Sequence, residues 1–478
     1  MSDTIESTRG RPKRVFEGHI YTQAKKSADG SRQFWRCQYK DICKARLHTS
    51  IATGEVVAVF GNHADAPNPA AIEVISSLAA TKIRALATQE QPAVLLNGIT
   101  GRLSVAAKGC MPNPLTVKRL INRNRSKLSR PVTTPPDGES ILIPYEYATY
   151  QSDPTRPDSL ENFVLADNGY GEAKRIIIFG REETSQWIEY VDRIFVDGTF
   201  SLAPKQFSQI FVILADRGGF PIPICYALLP DKSEATDRQM IGMLKECWPQ
   251  FRPKTISLDF ESAVINAFKH HFPLAGTNGC LFHLVKNVKR HLSDVGLYKR
   301  YLQDPTFALN ARMIPALAFV RPDLLERAVG ALLDALPPEL VPIYNYFERT
   351  YMGRILRVRL DGTIVRDKPL FDIALWSVYD RTLEGEARTN NFVEASHRRL
   401  QSEFSCDHPN LWKFIDGLRI IQQSRDADLA RFDAGRKAPK KRQKYLNTDE
   451  NLLKLCQDIE RRDPVAYLRG VAQNFLMD

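Results

Sequence analysis

Apolar positions along this chain change their period from one region to the next. Between residues 13 and 63 they alternate over short runs, RVFEGHIYTQ, RQFWRCQY, CKARLHTS and EVVAVFG, separated by Gly, Asp and Ser turn residues. A period of two is that of strands, so a small β module is expected over residues 8–70. From 72 to 130 the spacing becomes helical in IEVISSLAATKIRALATQ, within LNGITGRLSVAAKG, and in NPLTVKRLINRNRSKLSR. In the last of these Leu115, Leu120 and Ile121 form an apolar stripe, while Lys118, Arg119, Arg123, Arg125 and Lys127 cover the remaining surface. Three helices with one basic face predict a segment of helix-turn-helix type. PVTTPPDGES at 131–140 then reads as a linker, and 131–184 as linker and lead-in.

From Arg193 the apolar runs lengthen into RIFVDGTFSLA, QFSQIFVILAD and GFPIPICYALLP. A helix around DRQMIGMLKECW, a strand KTISLDF, a helix ESAVINAFKHHF and a strand NGCLFHL follow, the last running into another helix. Three antiparallel strands succeeded by alternating helices and strands predict an α/β fold, a mixed sheet of the ribonuclease H type, over 185–294. Residues 295–385 have helical spacing in ALNARMIPALAFV, PDLLERAVGALLDAL and PELVPIYNYFERTY, and predict a helical insertion. A core helix at 386–405 and a helical region at 406–478 complete the chain. The basic run GRKAPKKRQK (435–444) within that region suits a nuclear localisation signal, a DNA contact or a solvated interhelical loop equally.

Composition narrows the class. A chain of 478 residues with 43% hydrophobic content is long enough for roughly three domains and a sizeable core. No run reaches the ~18 apolar residues of a membrane span, and the polar start MSDTIES is not a secretory signal, so a soluble intracellular protein without a membrane partner is expected. Eight cysteines without regular spacing do not read as a disulfide framework, and most of them are expected to be buried thiols. The net charge of +11 is unevenly spread: residues 1–130 hold 21 Lys and Arg against 9 Asp and Glu, and the remainder 45 against 46. Such asymmetry points to a polyanion-binding module joined to an electrostatically neutral body.

The candidate chemistry falls into two groups. Cys37 and Cys43 lie on adjacent expected strands with His63 following, and thiolate and imidazole at that spacing suit a structural Zn²⁺ in a module too small to be held by its core. Ahead of them RGRPKR (9–14) carries Arg9 and Arg11 around Gly and Pro, the core of an AT-hook or a basic leader to the first strand. The second group consists of three acidic signatures, VDGTF with Asp197, SLDFESA with Asp259 and RTNNFVEASHRRL with Glu394. On a mixed sheet of the expected kind Asp197 and Asp259 lie side by side. Each acid also has a structural alternative: Asp197-Gly198 as a hairpin turn, Asp259 as cap of the helix beginning at Glu261, and Glu394 as partner of Asn391 in a capping box.

FEGHIY, FWRCQYKDICKARLHTS and GNHADAPNPAAIEV together resemble a FLYWCH-type zinc finger over about residues 8–70, with Trp35, Cys37 and Cys43 on the family's aromatic and cysteine positions. The family ends in His-x-His; His63 matches the second histidine and Gly61 stands at the first, so the fourth zinc ligand falls to Asp65 or His48. DGTF, DFESA, CLFHLVKNVKRHL and RTNNFVEASHRRL resemble the transposase domain of Mutator-like elements, the MULE family, over about 185–405. That resemblance implies a ribonuclease H-like fold in which Asp197, Asp259 and Glu394 hold two Mg²⁺ (or Mn²⁺) ions, with the helical insertion between the second and third acids. Cys280 and His283 match a Cys-x-x-His motif of the family with a site-supporting role, and His397 stands one helical turn beyond Glu394. Thr389, Asn390 and Asn391 would cap and orient the Glu394 helix, and Arg398 and Arg399 suit DNA phosphates. The implied function is a DNA transposase: the finger and basic helices bind double-stranded terminal inverted repeats, and the core cleaves a phosphodiester bond and joins the 3′-hydroxyl to target DNA. The resemblance also implies a homo-oligomer acting in the nucleus. The alternative is a domesticated DNA-binding transcription regulator without catalysis.

Overall fold

The computed structural model describes residues 4–6, 12–87, 92–128, 135–404 and 406–477, divided between two compact units, Met1–Thr133 and Thr134–Asp478. In the first, six strands lie in chain order in one antiparallel sheet: β1 (Thr4–Glu6), β2 (Pro12–Phe16), β3 (His19–Lys26), β4 (Arg32–Cys37), β5 (Arg46–Ser50) and β6 (Val56–Phe60). The alternation read from the sequence places Tyr21, Trp35 and Leu47 in a small core on one face. There the Trp35 indole N–H donates to the Thr49 hydroxyl at 2.9 Å. The basic stretch expected ahead of the finger enters the sheet, since Lys13 and Arg14 belong to β2; Arg9 and Arg11 lie outside the described residues.

Four helices follow: α1 (Pro69–Ala87), α2 (Pro92–Arg102), α3 (Val105–Gly109) and α4 (Pro114–Leu128). They share a core of Val74, Leu78, Leu95, Leu103, Ala107, Val117 and Ile121. One member of the expected α4 stripe is exchanged: Leu115 is 61% exposed and Val117 takes its place beside Leu120 and Ile121, because Asn113 and Pro114 start the helix there and turn the first residue outward. Ser104 caps α3 and donates its hydroxyl to Glu73 of α1 at 2.7 Å, which ties the two helices together.

The second unit is built on a seven-stranded mixed sheet. Its strands are β7 (Val164–Asp167), β8 (Ile177–Phe179), β9 (Arg193–Thr199), β10 (Gln209–Arg217), β11 (Phe220–Leu229), β12 (Thr255–Leu258) and β13 (Gly276–Gly279). They lie in the order β13-β12-β9-β10-β11-β8-β7. β9, β10 and β11 are antiparallel neighbours, whereas β12 and β13 add parallel to β9. β10 and β11 are buried on both faces, which explains why they read as continuous apolar runs rather than alternating ones. β7 and β8 fall within 131–184, so that segment is more than a lead-in. The run of Ile176 to Phe179 is short and flanked by loop residues, and Gly180 fits the bend because a Cβ there would meet the Ile224 carbonyl at 2.5 Å.

Side chains of β9 divide between the faces. Ile194 and Val196 pack toward α5 (Glu234–Cys247) and α6 (Ser262–His271). Phe195 instead meets Phe392 of a later helix at 5.3 Å between ring centroids. That helix, Asn391–Phe404, is followed by Leu411–Asp433, which is anchored by Tyr150 donating to Asp426 at 2.6 Å. Between the sheet and these helices, α7 (Leu281–Asp294) leads into six α-helices over Tyr298–Leu383, a π-helical turn at Glu348–Met352, and a hairpin of Ile355–Val358 with Ile364–Arg366. The hairpin departs from the helical spacing expected there. Helices Gln443–Gln457 and Pro464–Ala472 fold back on this insertion, where the Tyr467 hydroxyl donates to the Phe319 carbonyl at 2.5 Å and Arg321 pairs with Glu460 at 2.6 Å. Tyr467→Phe leaves that buried carbonyl only the weak Cys456 thiol donor at 3.9 Å and is expected to lower stability by about 1–2 kcal/mol, read as a lower denaturation midpoint with the fold retained by circular dichroism.

Candidate metal centres

In the parallel ladder Phe195 pairs with Ser257, and two residues further along each strand stand Asp197 and Asp259, at the same end of the sheet. None of the structural alternatives for the acids holds. β9 continues through Gly198, which pairs with Phe211, so Asp197-Gly198 is not a turn. The helix after Asp259 starts at Ser262 with Glu261 before it and no side-chain cap. The helix carrying Glu394 begins at Asn391, and the Asn390 carbonyl accepts from the Glu394 N–H at 3.3 Å. Glu394 therefore lies one residue too late for a capping box with that start.

Asp197 and Asp259 meet a third group, His283 on the first turn of α7. The ligand atoms of these three all lie within 4.8 Å of one another. His283 Nδ1 is 3.5 Å from Asp259 Oδ1, and His397 Nδ1 is 3.7 Å from Asp197 Oδ2. Burial pushes the Asp197 carboxyl up to about 7, helped by the charges on Asp259, Glu261 and Glu394. Burial also raises Glu394, against the pull of Arg398 and Lys286, and lowers both imidazoles, His397 to about 4. Glu394 sits outside the tight group of three, close enough to feel Asp259, and its buried Oε1 makes no hydrogen bond. Repelling acids, neutral imidazoles and an unpartnered carboxylate oxygen make an electrostatic hole that a divalent cation fits.

Asn390 holds the surrounding elements. Wholly buried, it donates from its side-chain amide to the carbonyls of Val196 (3.0 Å) and Ser257 (3.3 Å), and from its backbone N–H to Cys280 Sγ (3.0 Å). Cys280 begins α7 and its thiol is pushed up to about 12 by burial, so it accepts a hydrogen bond and stays protonated. Cys280 and His283 thus part company: the cysteine supports Asn390 and the histidine joins the aspartates. Glu261 and Lys286 also act on the acids electrically and had no motif of their own; the Asp-x-Glu spacing of DFES was the available signal for Glu261. Arg398 and Arg399 are exposed on the Glu394 helix, and the Asn391 side chain lies outside the described residues.

In the first unit, Cys37 ends β4, Cys43 sits in the following loop, and His63 and Asp65 follow β6. Their ligand atoms also lie within 4.8 Å of one another. Cys37 Sγ is 3.4 Å from Asp65 Oδ1, Cys43 Sγ is 3.5 Å from His63 Nδ1, and His63 Nδ1 is 3.0 Å from Asp65 Oδ1. The outer nitrogen of His63 meets the Tyr21 hydroxyl at 2.7 Å, which leaves Nδ1 turned inward. Burial pushes Cys37 up to about 12, with Cys43 and Asp65 adding to it, and a cation would reverse that. Burial also opposes charge on Asp65, but hydrogen bonds with His63 and His19 outweigh it and hold the carboxyl below its ordinary range. Two sulfurs, one imidazole and one carboxylate make a set that suits tetrahedral Zn²⁺.

The fourth member of that set is Asp65. His48 lies between the rings of Phe34 and Phe60, at 4.2 and 4.6 Å. Of the two residues that the sequence offered for the fourth position, the structure brings Asp65 to His63, at 3.0 Å. His19, which the motif reading passed over, stacks on His63 at 3.5 Å and bonds Asp65 at 3.1 Å. On α4, Lys118 is half-buried and Arg119 and Arg123 are exposed, while the side chains of Arg125 and Lys127 lie outside the described residues.

Comparison with known proteins supports both regions. The FLYWCH zinc finger domain matches residues 4–64, and the MULE transposase domain matches residues 193–287. FLYWCH transcription factor 2 of Caenorhabditis elegans is 42% identical over 53 residues, 11% of each chain. FLYWCH transcription factor 1 of the same organism is 41% identical over 46 residues, 10% of this chain and 9% of its own. The likeness spans about a tenth of those relatives' length. No described helix is long and apolar enough to cross a membrane.

Asp197 provides a pH test. Its carboxyl titrates near 7 in the fold against an ordinary 3.8, so the fold favours its protonated form. Its contribution to metal-free stability is complete below the lower value and is lost as pH rises through the higher. With chelator present, thermal midpoints measured from about pH 5 to about pH 8 should fall less for Asp197→Asn than for the unaltered protein.

Proposed function

We propose that this protein is a Mutator-like DNA transposase with a ribonuclease H-like core, in which Asp197, Asp259 and Glu394 hold two Mg²⁺ or Mn²⁺ ions. The observation that carries this reading is the convergence of Asp197 and Asp259 at the same end of parallel neighbours β9 and β12, with the Glu394 helix on the same face as Asp197. The MULE match over both aspartates and the strand order around β9 support it. Bound metal would activate a water or 3′-hydroxyl and stabilise the leaving oxygen of an in-line displacement at phosphorus. Asp197 and Asp259 supply the fixed carboxylates, and Glu394 completes the set on closure of its helix toward them. His283 and His397, neutral at physiological pH, sit against the two aspartates and orient them. Asn390 is a positioning residue, since it fixes the backbone ahead of both aspartates and the start of the Glu394 helix. Lys286, Arg398 and Arg399 lie on helices bordering the acids and suit the phosphates of a DNA strand.

The first unit would then recognise the element ends. Cys37, Cys43, His63 and Asp65 hold Zn²⁺, and Lys118, Arg119, Arg123, Arg125 and Lys127 contact the phosphates of double-stranded terminal inverted repeats, with Arg9 and Arg11 in the minor groove. Action in the nucleus fits the transcription-factor relatives of the finger, and a homo-oligomer fits the need to hold two ends together. Those relatives also favour the second reading, a domesticated regulator that binds DNA without cutting it.

Strand cleavage separates the two. Purified protein with terminal-repeat duplex is expected to nick in Mg²⁺ or Mn²⁺, and Asp197→Asn to lower nicking by about 100-fold or more while binding persists. Protein that binds and never nicks would establish the regulator. Asp65→Ala is expected to speed zinc release to a chromogenic chelator relative to the unaltered finger; equal rates would remove Asp65 from the ligand set.

A further inference from the structure

The face of the six-stranded sheet opposite its Tyr21–Trp35–Leu47 core has a composition that the zinc site and the basic helices leave unexplained. Register defines it. Phe34 pairs with His48, Arg36 with Arg46, and Arg32 with Ser50 across β4 and β5; Arg46 pairs in turn with Phe60 of β6. The rings of Phe34, His48 and Phe60 touch in sequence across three strands, at 4.2 and 4.6 Å. Phe60 remains 49% exposed, and Arg32, Arg36 and Arg46 are exposed around the rings. A cavity of about 180 Å³ opens among Phe34, Arg36, Arg46 and His48.

Two features of this face cost stability. Like charges directly opposite one another on neighbouring strands repel, and Arg36 and Arg46 are such a pair. Strands β2 to β6 carry no Asp or Glu to offset them, and no ion pair engages Arg32, Arg36 or Arg46 among the described residues. The His48 imidazole responds, lowered by burial and then by Arg32 and Arg46. A row of aromatic rings left at the surface beside unpaired guanidinium groups is the equipment of a stacking platform: the cations take phosphates and the rings take base faces.

We propose that this face binds unpaired DNA, a single strand lying across β4, β5 and β6 with a base stacked on the Phe34–His48–Phe60 row and its phosphates on Arg32, Arg36 and Arg46. Geometry selects the single strand. Six strands at ~4.8 Å spacing make a sheet roughly 24 Å across, about twice the ~12 Å major groove, so the face does not enter a duplex flat. A duplex presents base edges in its grooves and keeps its base faces stacked, whereas a single strand offers them freely. The proposal rests on the reading that the first unit binds DNA, and adds an unpaired segment as a ligand separate from the duplex repeats.

The test uses the full chain and fluorescence anisotropy with labelled oligothymidylate and, in parallel, a mixed-sequence duplex of equal length. Oligothymidylate should bind; Phe60→Ala and Phe60→Leu should weaken it by roughly 5-fold or more, Phe60→Trp should retain it, and none should change duplex binding. Arg36→Glu with Arg46→Glu should weaken oligothymidylate at low salt by about 10-fold or more, with zinc content and thermal midpoint checked as controls. Oligothymidylate binding unaffected by the Phe60 variants overturns the platform even if the arginine variant binds less. Duplex binding without oligothymidylate binding overturns the proposal and leaves the transposase reading standing. Failure to bind either DNA overturns both.

Discussion

A buried amide is the constraint on which the geometry around Asp197 and Asp259 depends. Asn390 reaches two carbonyls on neighbouring parallel strands and a cysteine sulfur at the start of a helix, and its own carbonyl starts another. The residues it touches are not themselves acids, yet Val196 precedes Asp197, Ser257 lies two residues before Asp259, and Cys280 begins the helix that carries His283. Acids held this close repel one another, as the raised Asp197 shows, and among the described residues no guanidinium or ammonium pairs directly with Asp197. The fold must therefore supply the restraint from uncharged groups. Hydrogen bonds in a water-free interior do this well, because breaking one strands a polar atom with no substitute partner.

The first unit applies the same logic with softer ligands. Cys37, Cys43, His63 and Asp65 are brought from a strand end, a loop and the segment after the last strand, and their ligand atoms converge within 4.8 Å of one another. His19 and Tyr21, adjacent in alternation on β3, meet Asp65 and His63 from outside. An outer layer of this kind fixes which imidazole nitrogen faces inward and which carboxylate oxygen is free.

Much of the molecule was legible in the sequence because its signals were local. The alternation in RQFWRCQY and the unbroken apolar runs of β10 and β11 gave strands where strands exist, and the order of elements from Arg193 gave the topology that brings Asp197 to Asp259. Less visible were features set by long-range packing. β7 and β8 are too short to carry a period and gain their stability as edge additions beside β11. Val117 rather than Leu115 faces the α4 core because the helix start sets the rotation, and that start depends on Asn113. The choice of Asp65 over His48 rested on the rings of Phe34 and Phe60 that enclose His48, which no local motif reveals. The partition of Cys280 from His283 needed the position of Asn390, more than a hundred residues further along the chain.

The return of the final two helices onto the segment after α7 has a consequence for anyone dissecting this protein. Phe319, Arg321 and Tyr379 find their partners in Glu460, Tyr467 and the Cys456 carbonyl, so a chimaera that exchanges residues 298–383 alone would graft a half-finished hydrophobic body. The unit of exchange is discontinuous: it comprises two stretches of sequence separated by the helix that bears Glu394 and the long helix after it, and both must travel together for either to fold.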